Sequence, residues 1–116
     1  MKRVLLAVLG VLALVPMVNA DPVGGGVCRD ATAYAHGTRD FDIVLHGGEV
    51  TVFTLSGDGD SDLDLYIYDE NGNLIGSDTG YSDEARVAIR PYWTGHFTIR
   101  VVNRGGILNN FRVCAL

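Results

Sequence analysis

The most chemically suggestive stretch of this chain is acidic: Asp58, Asp60, Asp62 and Asp64 alternate with Gly57, Gly59, Ser61 and Leu63. Calcium is a hard cation that takes about six to eight oxygen ligands, so carboxylates spaced two apart beside glycines form a candidate cage. Extended backbone separates such positions by roughly 6.6 Å, and one ion reaches all four only if the segment from Gly57 to Asp60 curls back. The competing reading is a solvated acidic loop. An EF-hand is excluded, because Leu63 stands where that loop needs glycine for its sharp turn. Asp69, Asn71 and Asn73 repeat the spacing with Leu74 in the glycine's place, and turn chemistry accounts for them without an ion.

A second group is aromatic. Tyr66, Tyr68, Tyr92 and Trp93 are candidates for a surface that binds a protein or a polysaccharide, since amphipathic rings on an exposed sheet suit either ligand. The alternative is structural: the tyrosines pack cross-strand, and Trp93 fills the core. His36, His46 and His96 are too scattered for a zinc site. Ser56, Ser61, Ser77 and Ser82 sit in polar segments without a nucleophile elbow, so no catalytic residue is assigned and the chain reads as a non-enzyme. Cys28 and Cys114 allow one pairing. In an exported chain an even cysteine count argues for a disulfide, and closing a loop of about 85 residues stabilises the fold by about 4 kcal/mol in the chain-entropy model. Neither cysteine has the close second ligand or the CxxC partner that metal or redox chemistry needs.

Those residues need an exported scaffold to position them. Met1, Lys2 and Arg3 precede an apolar run from Val4 to Val18 and the triplet Val18-Asn19-Ala20, which reads as a secretory signal cut after Ala20. A membrane anchor needs about 20 apolar residues, and Pro16 interrupts a shorter run. No cysteine near the junction supports a lipoprotein. Nine basic residues less Lys2 and Arg3, against fourteen acids, leave the chain from Asp21 onward at −7. Such a charge disfavours nucleic acid and anionic membrane as partners.

Residues 21–27 read as a flexible lead-in and 28–116 as one domain. From Cys28 the apolar pattern has a period of two and no sustained period of 3.6, which excludes a helical domain. Phe41, Ile43 and Leu45 alternate with polar residues, and Gly47-Gly48 predicts a hairpin into 49–56. Leu63, Leu65 and Ile67 form a core face opposite Tyr66 and Tyr68. Asp69 to Asn73 is the strongest turn signal, and a polar loop is expected from Gly76 to Asp83. Strands follow over 85–89, 95–103 and 110–114, with turns at Pro91 to Thr94 and at Gly105-Gly106. Six to eight short strands so spaced make an antiparallel β-sandwich.

The run Ser61-Asp62-Leu63-Asp64-Leu65-Tyr66-Ile67-Tyr68-Asp69, followed by Asn71-Gly72-Asn73-Leu74, resembles the central signature of the bacterial pre-peptidase C-terminal domain. Gly95-His96-Phe97-Thr98-Ile99-Arg100-Val101, with Asn103, Gly105, Asn109, Asn110 and Phe111, is similar to that family's closing strands. The resemblance covers about residues 41–115. It implies a jelly-roll-like β-sandwich appended to exported proteases and other enzymes, related to collagen-binding domains, some of which bind calcium. The chain departs from that context, since no peptidase precedes the domain and the bracketing cysteines are not part of the general signature.

Two functional readings follow. The first is a secreted or periplasmic, non-enzymatic binding or accessory module, with calcium as its one candidate cofactor. It attaches to a protein or polysaccharide surface or assists an exported enzyme such as a protease. The second is a small secreted enzyme or a protease inhibitor acting through the loops at Gly76 to Asp83 and Pro91 to Thr94.

Overall fold

The computed structural model describes residues 23–116; the signal read over residues 1–20 and its cut after Ala20 lie outside the described residues. The period-two pattern forms eight strands: β1 (Val27–Ala33), β2 (Thr38–Leu45), β3 (Thr51–Ser56), β4 (Leu63–Tyr68), β5 (Leu74–Asp78), β6 (Glu84–Ile89), β7 (Gly95–Asn103) and β8 (Asn109–Ala115). They make two antiparallel four-stranded sheets, in the orders β1-β8-β3-β6 and β2-β7-β4-β5. Successive strands switch sheets at every step but β4 to β5, which gives a jelly-roll-like β-sandwich. Between the sheets lie Leu45, Phe53, Leu63, Leu65, Ile67, Phe97, Val101, Phe111 and Val113, all buried. Burying each of the larger side chains stabilises the fold by about 1.5 to 3 kcal/mol relative to exposure.

This topology corrects the predicted hairpin at Gly47-Gly48. Only β4 and β5 are both consecutive and hydrogen-bonded; β2 pairs with β7, and β3 pairs with β6 and β8. The Gly47-Gly48 segment instead carries the chain across the sandwich, so that the apolar rows of β2 and β3 meet the core from opposite sheets. Two boundaries also shift. β1 begins at Val27, and the Val23 amide donates to the Val44 carbonyl at 3.1 Å, so the lead-in is tied to the β2 edge. β5 runs on to Asp78 because Gly76 faces inward: a Cβ there would lie 2.5 Å from Ile89 Cδ1 and 2.8 Å from Val87 Cγ1. The bare backbone lets β5 close over β6 at the sandwich edge.

The outward row of the β1–β8 ladder holds the chain ends together. Cys28 faces Cys114, Asp30 faces Arg112, and Thr32 faces Asn110. The first pair is the disulfide predicted from the sequence, with Cα atoms 4.0 Å apart. The second is a two-pronged ion pair at 2.7 and 2.9 Å, and the third a hydroxyl–amide hydrogen bond.

Antiparallel alternation gathers the connections at two poles. The β1–β2, β3–β4, β5–β6 and β7–β8 loops meet at one, linked by His36 N to Gly105 O, Arg104 N to Asp62 O, Leu63 N to Ser82 O and Gly57 N to Asp83 O. The β2–β3, β4–β5 and β6–β7 loops meet at the other, through Gly48 N to Pro91 O at 2.7 Å and the Glu70 contacts described below.

Candidate functional site

Tyr66 and Tyr68 lie on the outward face of β4, as the alternation predicts, but their rings are engaged within the sheet. They stack on each other with centroids 6.4 Å apart, and the Arg100 guanidinium lies 4.9 Å from the Tyr68 ring centre. Arg100 is itself held by both Asp40 oxygens, at 2.9 and 3.0 Å. Arg104 bonds the Tyr66 hydroxyl at 2.9 Å and Asp64 at 2.8 Å. The face is a cross-strand lattice of rings and ion pairs.

Tyr92 and Trp93 are placed differently, on the β6–β7 loop at the second pole. Trp93 stacks on Phe97 with centroids 6.3 Å apart and remains 39% exposed, so it roofs the end of the core instead of filling it. Tyr92 is 98% exposed. The loop that carries it is braced from both sides. The Gly47 amide donates to Thr94 Oγ1 at 2.9 Å, and Glu70 Oε1 accepts from Trp93 Nε1 and from the His96 amide. Glu70 is aimed by the β4–β5 turn, where Asp69 accepts the Asn71 and Asn73 amides, both at 2.9 Å, and the Asn73 side-chain amide at 3.1 Å. Those donors, the Asn73 amide foremost, hold the Asp69 carboxyl below its ordinary pKa. Beside the loop, Ile75, Ala88, Ile89, Pro91, Trp93 and Phe97 line a groove of about 550 Å³. The braced loop thus sets the exposed Tyr92 ring beside a groove whose wall is mostly apolar but also carries Asp69 and Arg90.

The acidic residues sit at the first pole. Asp58 spends its carboxylate on the Asn110 amide at 2.8 Å and the Asp60 amide at 3.1 Å, and the Asn110 bond above all lowers its pKa. Asp60 is exposed. Asp64 is only 3% exposed and is bonded to Arg104. One oxygen each of Asp62 and Asp64 is buried without a partner, and burial, aided by the Asp64 charge, raises the Asp62 pKa. The segment from Gly57 to Asp60 does turn, with Gly59 at φ +89° and the Asp60 amide on Asp58 Oδ1. Asp58 and Asp64 are turned to other partners, and among the described residues no three His, Cys, Asp or Glu side chains are grouped to hold a metal.

Two loops expected to share a site are separated. Thr79–Asp83 lies at the first pole and Pro91–Thr94 at the second, because β6 runs between them, roughly 20 Å of extended chain. Asn103 and Asn109, named in the sequence only as part of the closing-strand resemblance, are both fully buried and organise the first pole. Asn103 donates to Ala33 O and Ile107 O and accepts from Ser61 Oγ and the Gly105 amide. Asn109 accepts from the Asp58 amide and donates to Asp83 and Ser61. The available signal was alternation itself: Phe97, Ile99 and Val101 point inward, so Asn103 must as well.

Fold and site together define a small, disulfide-tied, jelly-roll-like β-sandwich with an exposed tyrosine and a groove at one pole. No protein-family model matches the chain, and no curated protein matches it. Among solved structures it is similar to Aeromonas hydrophila PliG, a periplasmic lysozyme inhibitor of g-type lysozyme, with a TM-score of 0.57 and 14% identity over 87% of this chain and 90% of that one. It is also similar to the Yersinia pseudotuberculosis-derived mitogen, with a TM-score of 0.52 and 13% identity over 81% of this chain and 85% of that one. At such identities the likeness shows the fold.

Proposed function

We propose that this protein is an exported, non-catalytic inhibitor that binds an enzyme through the Tyr92–Trp93 pole. The observation that carries the reading is Tyr92, a ring 98% exposed on a loop held by hydrogen bonds from two neighbouring loops. Rigid aromatic anchors bind with little ordering cost, which is how inhibitory loops reach high affinity. The internal disulfide agrees with export, since such bonds persist in oxidising compartments. The likeness to a periplasmic lysozyme inhibitor supplies the enzyme class to try first, a g-type lysozyme.

The test is lysis of a bacterial cell-wall suspension by g-type lysozyme with increasing amounts of the purified protein. Inhibition that saturates at equimolar protein is expected, and Tyr92→Ala should weaken it roughly 30-fold, the effect of losing an anchor worth about 2 kcal/mol. Undiminished lysis at a large excess of protein would sink the reading. The resemblance to pre-peptidase C-terminal domains favours a second reading, an accessory module for an exported enzyme. That reading predicts binding without inhibition.

A further inference from the structure

All ten large hydrophobic side chains that are strongly exposed among the described residues lie at the two poles, and none lies on the outward face of either sheet away from the ends. Single exposed apolar residues are ordinary on a soluble protein, whereas several on neighbouring loops mark an interaction surface. The second pole accounts for Tyr92, Trp93 and their neighbours. The first pole carries a set of its own: Tyr81 at 97% exposure, Tyr34 at 70%, Ile107 at 53% and Leu108 at 41%.

These four residues come from three loops that the fold fastens together. His36 N bonds Gly105 O, and Asn103 and Asn109 tie the Ile107, Ser61 and Asp83 segments into one buried polar knot. The surface is therefore preorganised. Acidic residues run through it: the β3–β4 loop with Asp58, Asp60 and Asp62 lies between the β7–β8 and β5–β6 loops, Asp83 shares the loop of Tyr81, and the nearby Arg104 is bonded to Asp64. Two copies meeting here would bring like charges together. A positively charged protein surface that also presents apolar side chains would meet both features.

We propose that the pole bearing Tyr34, Tyr81, Ile107 and Leu108 is a second docking surface, separate from the inhibitory one, and that its partner is a cationic protein. The protein then holds two different macromolecules at once, one at each end.

The test follows backbone amide shifts of the 15N-labelled protein on titration with an amphipathic lysine–leucine peptide, with glutamate–leucine and lysine–serine peptides as controls. Shifts should gather at Tyr34, Asp60, Tyr81 and Ile107 with the first peptide alone, and weaken at least tenfold in high salt. Tyr81→Ser with Ile107→Ser should weaken binding at least tenfold while leaving amide dispersion intact. Tyr92→Ala should change nothing here, which separates this surface from the inhibitory one. Equal binding of the glutamate–leucine peptide, no shifts at this pole, or shifts that track protein concentration without peptide would each overturn the proposal, the last in favour of self-association.

Discussion

Gly47→Ala is the most informative single change, because it tests whether the Tyr92 loop is held by contact with the β2–β3 crossover. A Cβ at position 47 would lie 2.6 Å from the Trp93 carbonyl carbon and 2.7 Å from both Thr94 N and Trp93 Cα. Carbon contacts are comfortable from about 3.5 Å, so the two loops must part by about 0.9 Å, and no side chain can swing aside to relieve it. Overpacking of this kind costs about 1 to 3 kcal/mol. The parting also strains the bonds from Gly47 N to Thr94 Oγ1 and from Gly48 N to Pro91 O, each worth about 1 kcal/mol. A total of about 3 kcal/mol corresponds to a Tm lower by roughly 12 to 24 °C in a domain of this size. Gly48→Ala is the matched control: its φ of +80° strains an alanine, but open space surrounds it, and a cost of about 1 kcal/mol is expected. Both variants are read by thermal unfolding and by fluorescence of Trp93, the single tryptophan of the chain. Trp93 emission should shift in the folded Gly47→Ala protein and stay in place in Gly48→Ala. Equal destabilisation by the two, or an unmoved Trp93 signal in Gly47→Ala, would refute the reasoning.

Two further outcomes follow from the buried polar groups. Arg104→Ala strips Asp64 of its cation and Tyr66 of a donor, and should lower the Tm by several degrees at pH 7. A melt that matches the parent's within a degree would count against this. Asp69 has its pKa lowered in the fold, so its stabilisation is complete above the unfolded value near 3.9 and disappears as pH falls through the folded value. Asp69→Asn should therefore be less stable than the parent at pH 6 and show a flatter fall in Tm toward pH 2, whereas parallel curves would contradict the assignment.

Alternation made the sandwich legible, because Leu63, Leu65 and Ile67 could face only one way once Tyr66 and Tyr68 faced the other. The same signal misjudged Asp64. Its parity marks it as outward, yet outward is not exposed when Arg104, forty positions away, folds over it. Gly47-Gly48 was ambiguous for a local reason, since a glycine pair serves an in-plane hairpin and a crossing between sheets equally well. The two candidate loops looked adjacent because few residues separate them, and those residues form a strand that spans the molecule. Asn103 and Asn109 were hardest to read: their partners come from several connections, and only the finished topology brings those together.

The Cys28–Cys114 clasp joins the first strand to the last in register. Tension applied between the described termini would therefore pass through the sulfur bridge and leave the 85 residues between the cysteines outside the load path. A domain pulled by handles on its two described ends would keep both sheets intact, and would yield mechanically only after a reductant had opened the clasp.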